Sequence, residues 1–146
     1  MTDTFILRRQ VEFNHCDPAG IVFYPRYFEM ISAVTERFFA DAVGFGWTAM
    51  RESGNGTPMG TIEARFHAPS RLEDWLDFVL TVKRIGRSSA VLLITGSCEG
   101  EPRFTCEATV IHANVDSGSS SPWPDALRAI MSRYLHPSSQ IKKDCR

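Results

Sequence analysis

The feature of this sequence that most limits its fold is a change of hydrophobic period, from two to about 3.6 and back to two. Over residues 5–13, Phe5, Leu7, Val11 and Phe13 alternate with Arg8, Gln10 and Glu12, as a half-buried strand requires. Tyr27, Ile31, Val34, Phe38 and Ala42 then recur at helical spacing, with Arg26, Glu29, Arg37 and Asp41 off that stripe. Pro25 suits a first helical turn, so one long helix is predicted from there to near Gly44. Beyond Thr57 the period of two returns in four segments. Ile62, Ala64 and Phe66 mark the first, and Leu76, Phe78, Leu80 and Val82 the second; residues 90–98 and 104–114 make the others. The last three are joined by short connections at Gly86-Arg87 and between Gly100 and Pro102, which implies antiparallel pairing. One strand, one long helix and four further strands in a meander bury most apolar surface if a five-stranded sheet curls around the helix. The expected class is therefore α+β. A short helix over Trp47–Glu52 and an amphipathic terminal helix bearing Leu127, Ile130, Met131 and Tyr134 complete the reading, with a polar tail over about residues 136–146.

At 146 residues and 43% hydrophobic content, the chain has material for one sizeable core, so residues 1–146 are read as a single domain. Sixteen Lys and Arg against 17 Asp and Glu leave a formal charge of −1, without the cationic field that drives nucleic-acid or membrane-surface binding. Cys16, Cys98, Cys106 and Cys145 have neither metal-ligand spacing nor the density of a disulfide scaffold, which fits a reducing cytoplasm. The N-terminal MTDTFILRRQVEF lacks a basic segment followed by an apolar run, and no stretch is long and apolar enough to span a bilayer. His67, His112 and His136 are scattered without metal-ligand spacing, and no metal is expected.

Chemistry is concentrated in Cys16-Asp17-Pro18-Ala19-Gly20-Ile21-Val22-Phe23-Tyr24-Pro25-x-Tyr27, a carboxylate in a tight turn followed by a glycine and a helix start. Acyl transfer needs a nucleophile or base beside a carbonyl, and donors aimed at the oxygen that becomes negative. The unpaired N–H groups and positive dipole end of a helix N-terminus are such donors, and a glycine lets the backbone approach a ligand. Asp17 is then placed to attack or to activate water. Alone, an Asp before Pro-Ala-Gly more often forms a turn or caps a helix.

That run closely resembles the signature of the 4-hydroxybenzoyl-CoA thioesterase family of hotdog-fold enzymes. Looser similarity continues through Gly56-Thr57-Pro58, Phe66, Glu73-Asp74, Leu76, Lys83 and Arg87-Ser88, roughly residues 5 to 115. The resemblance implies a hotdog, a curved five-stranded antiparallel sheet wrapped around the long helix. It further implies dimers with sheets paired edge to edge, a homotetramer of such dimers, and active sites between subunits. By the same carry-over Asp17 is the catalytic carboxylate, as nucleophile or general base, and the Tyr24 backbone amide is the oxyanion donor. Gly20 gives close backbone approach, and Thr57, Pro58 and Met59 help shape the acyl pocket. Lys83, Arg84 and Arg87 hold the phosphates of coenzyme A, which is part of the substrate, so no cofactor is implied. Departures after Tyr27 and around residues 59–63 concern the acyl group, expected to be aromatic or medium-sized.

Plain alternatives stand beside these. Charges at a strand turn also serve as solvated edge protection, and the stripe of Tyr27, Phe28, Phe38 and Phe39 reads as core. Cys16 has no base at an identifiable spacing and reads as a small buried hydrophobe, whereas His15 adjoins Asp17 and is a candidate to tune it. Two rivals to hydrolysis are a noncatalytic acyl-CoA-binding module and a hotdog dehydratase or hydratase, which needs a paired His and acid.

Overall fold

The computed structural model describes residues 2–137. Strand β1 (Phe5–Gln10) leads through a short 3-10 turn (Phe13–His15) to helix α1 (Tyr24–Arg37), which runs on through a π-helical turn (Phe38–Ala42). Helix α2 (Trp47–Glu52) follows, then β2 (Asn55–Gly56), β3 (Met59–Phe66), β4 (Trp75–Ile85), β5 (Ser89–Cys98), β6 (Glu101–Ile111), β7 (Ala113–Asn114) and helix α3 (Asp125–Ser132). The expected α+β class and five-stranded antiparallel sheet are present, in the order β1-β4-β5-β6-β3, with β2 and β7 forming a separate small ladder.

That order corrects the expected four-strand meander. Only β4, β5 and β6 follow one another as neighbours; β3 lies at the far edge beside β6, and residues 67–74 carry the chain across the sheet end to β4. Two alternating segments with eight residues between them have the same local pattern whether they pair or cross over, so period alone could not separate the cases. The first strand is also shorter than expected. Glu12 and His15 close a capping box around the 3-10 turn, which swings Phe13 off the strand face and leaves it 84% exposed. Helix α3 has eight residues, about two turns rather than three. The polar tail from residue 138 onward lies outside the described residues.

Helix α1 buries one stripe, Tyr27, Met30, Ile31, Val34 and Phe38, against the inward-facing residues of the sheet. These are Leu76, Phe78 and Leu80 of β4, Leu92 and Ile94 of β5, and Phe104, Ala108 and Val110 of β6. Fully burying each such aliphatic or aromatic side chain contributes about 1.5–3 kcal/mol. Rings interlock across the layers: Phe38 meets Phe5 at 5.8 Å and Tyr134 at 5.2 Å, and Tyr27 meets Phe104 at 5.1 Å. Past β1, Leu135 takes over the sheet edge in parallel beside Val82, whose N–H donates to the Tyr134 carbonyl at 2.7 Å. Among the described residues no helix is long and apolar enough to cross a membrane.

One glycine is dictated by this packing. Gly96 faces Phe104 across β5 and β6, and a Cβ there would meet the Phe104 ring far inside van der Waals distance. Gly96→Ala is expected to lower stability in urea unfolding by about 1–3 kcal/mol. Phe104→Leu in the Gly96→Ala background should restore part of that loss; simple additivity of the two losses would show that the clash is not the cause.

Candidate active site

Asp17 opens a four-residue turn. The Gly20 amide donates to the Asp17 carbonyl at 2.9 Å, and the Asp17 carboxylate accepts the Ala19 N–H at 2.8 Å. Gly20 has a φ of +79°, which disfavours a side chain at that position. The turn caps a small hairpin. Its arms are joined by the Cys16–Val22 bridge, by the Asp17 N–H to the Ile21 carbonyl at 3.0 Å, and by the Phe23 N–H to the His15 carbonyl at 2.9 Å. The second arm runs directly into α1, so one hairpin sets both the half-buried carboxylate and the helix start.

At that helix start Tyr24 is the first residue and Pro25 the second. Pro25 has no N–H, and the Arg26 N–H already donates to the Phe23 carbonyl at 2.8 Å. The Tyr24 amide has no intrahelical acceptor, and among the described residues no other backbone carbonyl takes it. Helix geometry thus leaves one donor at the positive end of α1 available to a ligand. Exposed aromatic rings gather about the Tyr24 side chain: Phe23 lies 5.7 Å and Phe66 6.5 Å from its ring.

The neighbours of Asp17 are committed to holding the turn. His15 is buried, and its Nδ1 accepts the Glu12 N–H at 2.8 Å, which requires the neutral ring at that nitrogen. Burial is the largest influence and lowers its pKa; Arg9 acts the same way and Glu12 opposes. The Cys16 thiol donates to the Glu12 carbonyl at 3.7 Å. Cys16, Cys98 and Cys106 are free, and burial pushes the Cys106 thiol up to about 11, far from a reactive thiolate.

The remaining candidates lie elsewhere in the chain. Thr57 and Pro58 lead into β3, which Met59 opens; the Pro58 carbonyl accepts the Ile111 N–H at 2.9 Å and Met59 stands opposite Val110. The exposed side chains of Lys83, Arg84 and Arg87 mark the end of β4 and its turn into β5, and Lys83 pairs with Glu107. The Arg87 carbonyl is fixed by the Trp123 N–H at 3.0 Å. These two groups share one end of the sheet, since Ser89 pairs with Ile111. The Asp17 hairpin is at the other end, where the Val11 N–H donates to the Asp74 carbonyl beside Trp75. The 11 residues of β4 separate the two ends by roughly 30 Å.

Asp17, Gly20 and Tyr24 are therefore brought together, and the other six candidates are not brought to them within one chain. A cavity of about 640 Å³ lies on the helix-distal sheet face, lined by Glu63, Arg65, Val79, Leu93 and Thr105 among others, and borders neither Asp17 nor Tyr24. Residues that sequence reasoning did not nominate include Ser70, whose carbonyl accepts the Val22 N–H at 2.8 Å, and Phe66, stacked on Tyr27 at 5.4 Å. Ser70 lies between the first two alternating segments, outside any pattern, and its partner is too distant in sequence for any local signal. Among the described residues there is no His, Cys, Asp and Glu cluster of metal-binding form.

Residues 11–131 match the model of the Thioesterase-like superfamily. A 4-hydroxybenzoyl-CoA thioesterase from Pseudomonas sp. strain CBS-3 is 29% identical over 93 residues, covering 62% of this chain and 66% of that enzyme, slightly less than two thirds of its length. A 1,4-dihydroxy-2-naphthoyl-CoA thioesterase from Synechocystis superposes with a TM-score of 0.82 at 18% identity, over 92% of this chain and 100% of the other. A Staphylococcus aureus protein in complex with CoA superposes with a TM-score of 0.86 at 16% identity, over 96% and 93% of the two chains. These two superpositions show a common fold.

The His15 assignment has a consequence for stability. Its folded pKa lies below the ordinary 6.5, so the unfolded chain takes up the proton first and stability is lost as pH falls through and below that value. The melting temperature of the protein should decline between about pH 7 and pH 5, and His15→Asn should melt lower at pH 7 yet decline less steeply. Equal slopes for the two proteins would show that His15 is not the titrating group.

Proposed function

The chain belongs to the Thioesterase-like superfamily, and on that premise we propose that it hydrolyses an acyl-CoA thioester with Asp17 as the catalytic carboxylate. The observation that carries this reading is the juxtaposition built by one hairpin: a half-buried carboxylate on the turn and, at the end of the second arm, a helix-terminal amide with no acceptor among the described residues. The thioester carbonyl oxygen points at the Tyr24 N–H. Asp17 either attacks the carbonyl carbon, giving a mixed anhydride that water cleaves, or removes a proton from attacking water. In both routes negative charge grows on the carbonyl oxygen, where the Tyr24 amide and the positive end of α1 stabilise it. Thiolate leaves readily, so few side chains are needed.

Substrate placement follows from what remains. The exposed rings of Phe23, Tyr24 and Phe66 form an apolar wall for an aromatic or medium-sized acyl group. Both thioesterases named above have aromatic acyl groups in their names. Lys83 is partly neutralised by Glu107, which leaves the exposed Arg84 and Arg87 as the principal cations for the coenzyme A phosphates.

The separation of the candidate groups is resolved by a second copy. Strand β3 is a sheet edge with apolar residues at the surface, Met59, Ile62 and Phe66 being 43%, 39% and 46% exposed, and such an edge needs a cover. Antiparallel pairing of β3 with itself about a two-fold axis sets the Phe66 end of one strand against the Met59 end of the other. Phe66 packs on Tyr24 and Tyr27, so Thr57, Pro58 and Met59 of the partner subunit arrive beside the helix start. Two such dimers make the proposed homotetramer. Free thiols at Cys16, Cys98 and Cys106 suit a reducing cytoplasm.

Thiol release from benzoyl, hydroxybenzoyl, phenylacetyl and straight-chain acyl-CoAs tests the activity. Asp17→Asn should stay folded and lose about 10²-fold or more in kcat, whereas Tyr24→Phe should stay within about threefold because the amide and not the phenol is the donor. Acyl-CoA binding without hydrolysis of any of these thioesters would favour a noncatalytic binding module. For the shared site, Ile62→Glu places a charge on the pairing edge and should yield folded monomers with little activity in light scattering and thiol-release assays. Active monomers would remove the second copy from the site.

A further inference from the structure

Beside the Asp17 hairpin lies a half-buried polar clasp that the hydrolytic reading does not use. Arg103 of β6, only 12% exposed at its side chain, donates from Nη1 to the Pro69 carbonyl at 3.0 Å and to Asp74 Oδ2 at 2.8 Å. Asp74 Oδ2 also accepts the Arg71 N–H at 2.9 Å. The Arg103 carbonyl in turn accepts the His67 N–H at 2.8 Å, so a single residue grips both ends of the crossover that joins β3 to β4. Glu101 lies 2.8 Å from Arg103 Nε as an ion contact off the N–H axis. Burial pushes the Asp74 carboxyl up, but the Arg71 amide and the Arg103 guanidinium more than offset this, and its pKa lies below the ordinary carboxylate value. The pair is ionised and tight near neutrality.

What the clasp holds is the edge on which the candidate site rests. The Ser70 carbonyl, between the two gripped points, accepts the Val22 N–H, and Ile21 bridges to Arg71. Val22 is the hairpin residue paired with Cys16 and stands two positions before Tyr24. The Tyr27 phenol and the Ser70 hydroxyl are both buried, and neither has a hydrogen-bond partner among the described residues. The crossover is itself held in an unfavourable form: Glu73 has a φ of +75°, and its N–H and carbonyl are both engaged, by the Val11 carbonyl and by Gln10 Nε2.

We propose that Arg103, with Asp74, is a positioning residue for thioester hydrolysis, acting through the crossover and the Ser70–Val22 hydrogen bond to fix Asp17 and the Tyr24 amide. The proposal rests on the reading of Asp17 and Tyr24 as the catalytic pair. It distinguishes Arg103 from the surface cations: the guanidinium touches no substrate, so its loss leaves coenzyme A binding intact and degrades alignment. A misplacement of about 1 Å between carboxylate and donor is enough to cost about 10²-fold in rate.

The test is Arg103→Met in the full chain, with Arg133→Met, which breaks the remote ion pair to Asp3, as the control for general destabilisation. Arg103→Met should lower kcat about 10- to 100-fold with KM changed less than about threefold, while Arg133→Met leaves kcat unchanged. Hydrogen exchange is read in parallel. The Val22 amide should exchange at least about tenfold faster in Arg103→Met, with the β4 and β5 amides as in wild type. Arg103→Lys, which keeps the charge and loses the fork, should be intermediate in both measurements and serves if Arg103→Met does not fold. Wild-type kcat in either folded Arg103 variant overturns the proposal, as does unchanged exchange at Val22. If wild type hydrolyses no thioester the catalytic reading fails, and the exchange data separately decide whether Arg103 holds the hairpin.

Discussion

The apolar stripe of α1 has to be taken out of water, and almost every other feature of this molecule follows from how that is done. Tyr27, Ile31, Val34 and Phe38 lie along one side of a helix too long to be covered by one or two strands. Three consecutive antiparallel strands cover the middle of it, and the two long strands that precede them in the chain, β1 and β3, extend the sheet on either side. Because β1 and β3 have to reach opposite edges, the chain crosses the end of the sheet between β3 and β4. The crossover passes beside the start of the helix, and this is where the carboxylate-bearing hairpin is anchored.

Site and scaffold are therefore joined at one end of the sheet by backbone hydrogen bonds rather than by side-chain contacts to the reacting groups. The hairpin has a few residues, a half-buried carboxylate and a glycine, and little apolar surface with which to hold its own shape. Its order is borrowed from the crossover through Ser70 and from the 3-10 turn through His15, a neutral buried ring used as a backbone acceptor. Histidine next to a candidate catalytic acid suggests a proton shuttle; here its Nδ1 and its burial are already committed to the turn.

How much of this was legible in the sequence varied with the range of the interaction. The period switch located α1 and all five long strands because each pattern is local, and Pro25 and Gly44 marked the helix ends to within a residue or two. Strand order was not legible: β3 and β4 alternate correctly in isolation, and nothing in residues 67–74 says whether the chain turns back or crosses. Alternation alone puts Phe13 on the strand face, yet Phe13 lies inside the capping box formed by Glu12 and His15, both visible in the sequence. Asp17 and Tyr24 stood out through the long run from Cys16 to Tyr27, whereas Arg103 and Asp74 are 29 residues apart and belong to no motif.

The distribution of candidate groups over the two ends of the sheet bears on the proposed association of two copies. A sheet that wraps a helix presents the helix N-terminus at one end and the strand turns that carry Arg84 and Arg87 at the other, and among the described residues no loop spans roughly 30 Å of β4. Lengthening a loop would add backbone to be ordered at about 1–2 kcal/mol per residue. Turning a second copy through a two-fold axis needs no extra chain, and it covers the exposed edge of β3 with the same contact. The proposed interface would therefore hide the surface apolar residues Met59, Ile62 and Phe66 and complete the proposed site with one contact.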